Sequence, residues 1–287
     1  MTVVALSLTA SLIHAQWRRG SGQGMRGSSS GMRGSRGFAG PQHAADRSEY
    51  PAWKNEPGFE HDVFTFARVQ YDSYGGRGGG QHWSNDYPDC DWNFSYRLRQ
   101  LTSFEVDPQG TVIRLTDPRL VDFPFLYMSN PGYPSLDDDE IAALRRHLLN
   151  GGFLMADDFW AAQEWRNVRQ LMRQVFPDRE PRELTLDHEI FHIVYDLKEL
   201  PRVPSIFANW REGDTFERWH GDAEGDEAPH FWGIFDDKGR LMALLCHNND
   251  IGDGWEREGE EKEYFHRYSE KFSYPLGINI VTYVMTH

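Results

Sequence analysis

Residues 123–158 read FPFLYMSNPGYPSLDDDEIAALRRHLLNGGFLMADD, and this stretch decides the fold. Residues 123–129 form a nearly continuous apolar run, which is typical of a strand covered on both faces of a sheet. Residues 137–149 predict an amphipathic helix, with acidic residues in its first turn and basic residues near its end, where they suit the helix dipole. Residues 153–156 predict a second buried strand. This order of elements predicts two parallel strands joined by a crossover helix.

The same alternation of strands and helices extends on both sides of this stretch. The predicted strands are residues 63–71, 111–115, 123–129 and 153–156, and the predicted helices are residues 92–101, 137–149, 160–175 and 277–285. Residues 231–236 and 240–246 predict a hairpin whose turn is Asp237-Lys238-Gly239. The alternation predicts an α/β domain with an open, largely parallel sheet and helices on both faces.

The first 60 residues differ in composition from the rest of the chain. Residues 1–15, MTVVALSLTASLIHA, predict a secretory signal peptide, although no Lys or Arg precedes the apolar run; the alternative is a disordered or core-packed N-terminus. Residues 16–60 are rich in Gly, Ser and Arg and predict a disordered linker, because they have little apolar surface to bury. We therefore expect the folded domain in residues 61–287 of a protein exported to the periplasm.

The overall charge and the two cysteines restrict the partners and the chemistry. The net charge is −14, and a general nucleic-acid binder needs a basic surface, so nucleic acid is not an expected partner. No run of 18 apolar residues occurs, so we expect no transmembrane segment. Cys90 and Cys246 could pair in an exported protein, but Cys246 ends a predicted buried strand and also fits an unreactive core position.

Polar side chains follow the predicted strands at their carboxyl ends. Because ligands of open α/β sheets bind at that edge, we expect these side chains to converge on one site. The candidate ligand-binding residues are Asp86, Asn130, Asp157, Asp158, His247, Asn249 and Asp250. Histidine and carboxylates together can hold a divalent metal, which is the cofactor that this set would take. The alternative is that the Asp157-Asp158 pair caps the following helix and that residues 247–250 form a polar turn.

Two further segments contain residue types that are found in known sites. Residues 75–80, GGRGGG, match neither a dinucleotide-binding nor a P-loop pattern, so we interpret them as a mobile lid rather than a phosphate cradle. His188-Glu189-Ile190-Phe191-His192 matches H-E-x-x-H, in which a helix aligns two histidines on zinc and the glutamate acts as base. The alternative is a structural turn with His188 near the rim and Phe191 in the core.

Several segments together resemble the bacterial family called domain of unknown function 4159 (DUF4159). They are FTFARVQYDS, WSNDYPDCDWNF, LTDPRLVDFPFLYMSNPGY, LDDDEIAALRRHLLNGGFLMADDFW, LDHEIFHIVYDL and HNNDIGDGW with a later YPLGINIVTY, and they span residues 63–285. The resemblance implies a flavodoxin-like three-layer sandwich of the class I glutamine-amidotransferase-like type, near the trehalose-utilisation branch. It also implies that the H-E-x-x-H match is accidental, because the family commonly has Pro at the position of Glu189.

The resemblance also bears on the nucleophile. Amidotransferases of this fold carry a nucleophilic Cys on a tight turn after a strand. The comparable turn here, residues 128–132, reads MSNPG, contains no Cys and lacks the G-x-S-x-G pattern around Ser129. The resemblance therefore implies a fold that lacks the nucleophile Cys, and it argues against glutaminase chemistry.

These observations predict an exported ligand-binding or assembly module of the cell envelope, with an envelope protein as partner and a small molecule of unassigned chemistry as ligand. The missing nucleophile and the linker favour this function. The alternative is a hydrolase, assisted by a metal, that uses Asp157 or Asp158 together with His247 and Asp250. A minor alternative is a zinc protease built on the H-E-x-x-H motif.

Overall fold

The computed structural model describes residue 51, residues 53–55, residue 58, residues 62–75 and residues 82–287. The predicted signal peptide, most of the predicted linker and the Gly-rich loop after Gly75 lie outside the described residues. Within the part of the chain that is described, no helix combines the length and the apolar character needed to cross a membrane.

A seven-stranded, mostly parallel sheet forms the centre of the domain. The described residues form nine strands, seven in this sheet and two in a separate pair. They are β1 Ala67–Val69, β2 Asp72–Ser73, β3 Thr111–Ile113, β4 Phe125–Ser129, β5 Pro134–Ser135, β6 Phe153–Phe159, β7 Arg182–Glu183, β8 His230–Phe235 and β9 Leu241–His247. The spatial order in the main sheet is β3-β1-β4-β6-β9-β8-β7, and β2 pairs separately with β5. Neighbours from β3 to β9 are parallel, whereas the pairs β9–β8 and β8–β7 are antiparallel.

Helices cover both faces of this sheet. They are α1 Asp89–Leu101, α2 Asp138–Leu149, α3 Ala161–Val175, α4 Ile251–Glu256, α5 Lys262–Tyr264, a π-helix Phe265–Ser273 and α6 Tyr274–Thr286. Along β4, Phe125 and Tyr127 pack in one core with α1, α4 and α6, whereas Leu126 and Met128 pack in a second core with α2 and α3. Side chains of β4 are therefore buried on both faces, which explains the continuous apolar run and confirms the predicted α/β sandwich.

Most predicted elements are present, but some of their ends differ. The predicted hairpin is confirmed by the antiparallel pairing of β8 with β9. The first predicted strand, residues 63–71, is shorter and spans only β1. The strand predicted at residues 153–156 continues to Phe159, so Asp157 and Asp158 belong to β6 rather than to the turn that follows it.

The buried imidazole of His147, on α2, predicts a loss of stability in acid. Burial, with a smaller contribution from Arg240, lowers the pKa of His147 to about 4. Between pH 6.5 and pH 4 the unfolded chain therefore binds more protons at this site, and stability falls as the pH falls. We expect a loss of about 2 kcal/mol from His147 between pH 6.5 and pH 4.5.

Thermal denaturation of wild type and His147→Gln at these two pH values measures this effect. The decline in Tm should be roughly 5 °C smaller in the variant, given a shift of about 2–4 °C per kcal/mol for a domain of this size. Equal declines in the two proteins would show that His147 does not contribute.

Candidate metal centre

Asp158 lies at the carboxyl end of β6, at the edge of the sheet where ligand sites are expected. The pairing of β6 with β9 is irregular between Ala156 and Phe159, which interrupts the normal alternation of side chains. Asp158 has φ = +59°, a left-handed conformation that is rare for residues other than glycine. Two consecutive acids, Asp157 and Asp158, are buried here, because both faces of β6 are covered.

Neutral donors hold the carboxylate of Asp158. Asn85 Nδ2 and Asn130 Nδ2 each donate to Asp158 Oδ2 at 2.8 Å, and Trp160 Nε1 donates to Asp158 Oδ1 at 3.0 Å. Burial raises the pKa of Asp158, whereas the charge of His220 and the hydrogen bonds from Asn130 and Trp160 lower it without cancelling that rise. The carboxylate is thus held in place by neutral donors, and His220 partly compensates its charge.

Two further carboxylates, from Asp86 and Asp250, meet Asp158. One oxygen from each of the three residues lies within 4.8 Å of the other two. Their exposed fractions are 9% for Asp86, 1% for Asp158 and 3% for Asp250. Asp250 is the N-cap of α4, where its Oδ1 accepts a hydrogen bond from Asp253 N at 2.8 Å. Asp86 Oδ2 is buried and has no hydrogen-bond partner among the described residues.

The three carboxylates repel one another, and a cation between them would relieve that repulsion. Burial, together with the charges of neighbouring carboxylates, raises the pKa values of Asp86 and Asp250 well above their usual range. Two nearby arginines form their ion pairs with other acids: Arg68 with Asp91, and Arg257 with Asp253 and Glu256. A set of oxygen ligands suits hard divalent cations such as Mg²⁺, Mn²⁺ and Ca²⁺.

Backbone strain is concentrated around the same group. Strained backbone persists only where the surrounding structure fixes it, and it clusters at functional sites. Six of the described residues other than glycine have φ > 0, and one of them, Glu224, is exposed on a turn. The other five are Asp86, Asn130, Asp158, Ala161 and Asn248. Asn248 Oδ1 accepts a hydrogen bond from Ala161 N at 2.9 Å, which fixes the turn after β6.

The family described as domain of unknown function (DUF4159) matches residues 65–285, which include this site and almost the whole folded part. The chain belongs to the DUF4159 family. The match confirms the resemblance drawn from the sequence motifs. The comparison with curated proteins found no match.

A partly buried histidine, His220, lies beside Asp158 in this DUF4159 domain. His220 Nδ1 is 2.9 Å from Glu164 Oε1, and His220 Nε2 is 3.4 Å from Glu217 Oε2. Burial alone would lower the pKa of His220, but the two glutamates raise it well above its usual value, so the ring carries a positive charge at neutral pH. Ligand atoms of Asp158, Glu217 and His220 also lie within 4.8 Å of one another.

Three predicted site residues, Asp157, Asn249 and Asn130, hold the segments around the site and are not among the three carboxylates. Asp157 Oδ2 accepts hydrogen bonds from Gly252 N at 2.8 Å and Tyr127 Oη at 3.1 Å, so it holds the start of α4. Burial raises the pKa of Asp157 to about 7. Asn249 Oδ1 accepts a hydrogen bond from Val203 N. Asn130 occupies the strained turn after β4 and reaches Asp158.

The prediction that Asp157 or Asp158 caps the next helix is wrong. Helix α3 begins at Ala161 and its N-cap residue is Trp160. Trp160 makes no side-chain capping bond, and Trp160 N donates instead to Glu164 Oε2 at 2.8 Å. The two aspartates are strand residues, which leaves Asp158 free to face Asp86 and Asp250.

The side chain of His247 lies on the other face of the sheet from the buried Asp157. Its ring stacks on Phe159, Trp165 and His230, and its Nε2 is 3.1 Å from Ala161 O. Burial lowers the pKa of His247 to about 4, so the ring is neutral at pH 7. Among the described residues, His247 belongs to no group with metal-ligand spacing.

The H-E-x-x-H segment does not form the helix that a zinc site of that type requires. Residues Glu189–Phe191 form a single 3₁₀ turn. His188 Nδ1 accepts a hydrogen bond from Ile190 N, and His192 contacts Asp196 and Leu186 O. Neither histidine belongs to a metal-spaced group in the described part of the chain. The segment therefore lacks the geometry that a zinc protease of this type requires.

The two cysteines and Ser129 do not form a nucleophilic site. Cys90 and Cys246 are both free and buried, and burial raises the pKa of each thiol well above its usual value. A thiol in that state is unreactive. Ser129 is fully buried, and its Oγ is 3.5 Å from Asn85 O.

Proposed function

We propose that this DUF4159 domain binds one divalent cation between Asp86, Asp158 and Asp250 and acts as a cation-assisted hydrolase. The observation that carries the proposal is the carboxylate of Asp86: its buried Oδ2 lacks a hydrogen-bond partner within the described residues, and one of its two oxygens lies within 4.8 Å of ligand atoms of Asp158 and Asp250. Leaving such a group unpaired is costly, and a cation would pair it together with two neighbouring carboxylates.

A cation at this position would polarise a substrate oxygen or activate a water molecule. The residues of the chain would supply orientation and protons. The amides of Asn85 and Asn130 fix Asp158, and a ring nitrogen of His220 lies within 4.8 Å of an oxygen of the same carboxylate. This combination of carboxylates, amide donors and a protonated histidine fits hydrolysis by an activated water molecule better than hydrolysis through a Ser or Cys nucleophile.

One observation favours a second function, a non-catalytic binding or assembly module whose cation stabilises the fold. The three carboxylates are almost fully buried, which leaves little surface for a substrate in this conformation. Under this proposal the domain is exported to the envelope and presents a surface to an envelope protein. Export rests on the sequence of residues 1–15 alone.

Metal content distinguishes a cation site from a structural group of acids. Elemental mass spectrometry on protein purified without chelator or metal resin should find about one divalent cation per chain. His188→Ala should keep that cation, because His188 lies outside the site. At about 100 times its Kd, the cation should stabilise the fold by about 2.7 kcal/mol, or roughly 5–10 °C in Tm. No cation in wild type, even after dialysis against Mn²⁺, would contradict the proposal.

Activity then separates the two functions. Chromogenic carboxylic-ester and phosphate-ester substrates are offered to the Mn²⁺-loaded protein, to the chelator-treated protein and to Asp158→Asn. Hydrolysis that requires Mn²⁺ and Asp158 supports the hydrolase. Stoichiometric Mn²⁺ binding with no hydrolysis of either class overturns it in favour of the binding module.

A further inference from the structure

A fully buried arginine, Arg68, lies on β1 in the layer behind the proposed cation site. Its Nε is 3.0 Å from Asp91 Oδ1, and its Nη2 is 2.5 Å from the same oxygen. The guanidinium group also lies over the ring of Tyr127, 4.9 Å from its centroid. One side of the guanidinium fork is therefore fixed by an ion pair and an aromatic ring.

The other side of the fork holds the segment that delivers two site residues. Arg68 Nη1 donates to Trp83 O at 3.0 Å and to Asn85 O at 2.8 Å. Asn85 is the residue whose side chain donates to Asp158, and Asp86 follows it directly. Arg68 thus fixes the backbone immediately before the carboxylate that has the unpaired oxygen.

Asp86 needs such external support for two reasons. Its backbone is in the left-handed region at φ = +61°, which an aspartate adopts only where its surroundings impose it. Its Oδ2 has no hydrogen-bond partner in the described part of the chain, so hydrogen bonding at that atom cannot orient the carboxylate. The position of the carboxylate therefore depends on its backbone, which Arg68 holds at Asn85 O and the start of α1 holds through the hydrogen bond from Cys90 N to Asp86 O.

We infer that Arg68 is the positioning residue of the cation site: it sets the affinity for the cation by holding Asn85 and Asp86 in place, without touching the cation itself. This inference rests on the proposed function. Partners in the layer behind a metal's ligands typically change affinity by about 10–100-fold when they are replaced. Lysine cannot replace Arg68, because a single ammonium group cannot bind Asp91 and two carbonyl oxygens with the geometry of the planar fork.

The test is a Mn²⁺ titration followed by electron paramagnetic resonance on wild type, Arg68→Lys and Leu144→Ala. Leu144 is a fully buried residue of α2 in the core that α2 and α3 form with the sheet, so its variant controls for lost stability alone. We expect Arg68→Lys to weaken Mn²⁺ binding by at least about 10-fold and Leu144→Ala to bind like wild type. Equal affinities in Arg68→Lys and Leu144→Ala overturn the inference.

A second variant keeps the test decisive if Arg68→Lys does not fold. In Arg68→Gln/Asp91→Asn both buried charges are removed together, so neither is left unpaired, and the contacts to Trp83 O and Asn85 O are lost. The same loss of affinity is expected, and wild-type affinity in this variant overturns the inference. Failure of the wild-type protein to bind Mn²⁺ would instead reject the proposed function, so the two failures are distinguishable.

Discussion

Asp86→Asn is expected to weaken cation binding by at least about 100-fold and, at pH 8, to raise the stability of the cation-free protein. Burial and the charges of Glu256, Asp253 and Asp158 raise the pKa of Asp86 well above its usual value. An acid whose folded-state pKa is raised destabilises the fold as the pH rises above the unfolded value. The neutral amide removes that cost together with the ligand charge.

The opposite signs of these two effects separate a cation site from a purely structural acid. Isothermal titration with Mn²⁺ gives the affinity, and thermal denaturation with chelator gives the stability. Asp122→Asn is the matched control, because Asp122 is exposed, and it should change neither quantity. A cation-free Asp86→Asn protein that is less stable than wild type, or one that binds Mn²⁺ normally, contradicts the assignment of Asp86.

The largest expected loss of stability comes from His220→Gln. The charged ring lies between Glu164 and Glu217, whose side chains are 3% and 2% exposed. Gln keeps a hydrogen-bond donor but leaves two buried carboxylates without their positive partner. Removing one member of a buried ion pair typically costs about 3–5 kcal/mol, so we expect Tm to fall by roughly 10 °C at pH 7.

His230→Gln is the matched control for this prediction. His230 also lies between two acids, Glu183 and Asp226, but those side chains are 48% and 59% exposed. Exposed ion pairs contribute about 0–1 kcal/mol, so the control should lose little stability. Similar losses in the two variants, measured by thermal denaturation, would show that the burial of Glu164 and Glu217 does not govern the effect.

The fold could be predicted because the two central strands, β4 and β6, each contain an apolar run that is typical of a buried strand. Phe125 and Leu126 face different cores, and so do Phe153 and Leu154, so residues 125–128 and 153–156 each form a continuous apolar run. The ends of elements were less predictable. The extension of β6 to Phe159 depends on its irregular pairing with β9, which the local sequence does not specify.

Part of the site followed from the topology of the sheet. Asp86, Asn130, Asp158 and Asp250 were predicted because they follow strands at one edge, and the structure brings them together. His247 was grouped with them for the same reason. Its side chain is buried on the opposite face from Cys246, because successive residues of a strand alternate in direction.

The remaining site residues had no usable sequence signal. Glu217 and His220 lie in the connection between β7 and β8, which contains only short 3₁₀ turns and shows no periodicity. Their role depends on a contact between distant parts of the chain, since Glu164 is on α3. The acidic residues around a Trp-His pair, Trp219-His220, were the only local hint, and such clusters are common on solvated loops.

Anomalous X-ray diffraction from crystals soaked in Mn²⁺ tests the central claim most directly. The account predicts one strong anomalous peak bounded by oxygens of Asp86, Asp158 and Asp250, at distances within about 2.6 Å of each. The same peak should be absent from Asp86→Asn crystals soaked in the same way. A wild-type crystal saturated with Mn²⁺ that shows no peak between these three carboxylates would contradict the account.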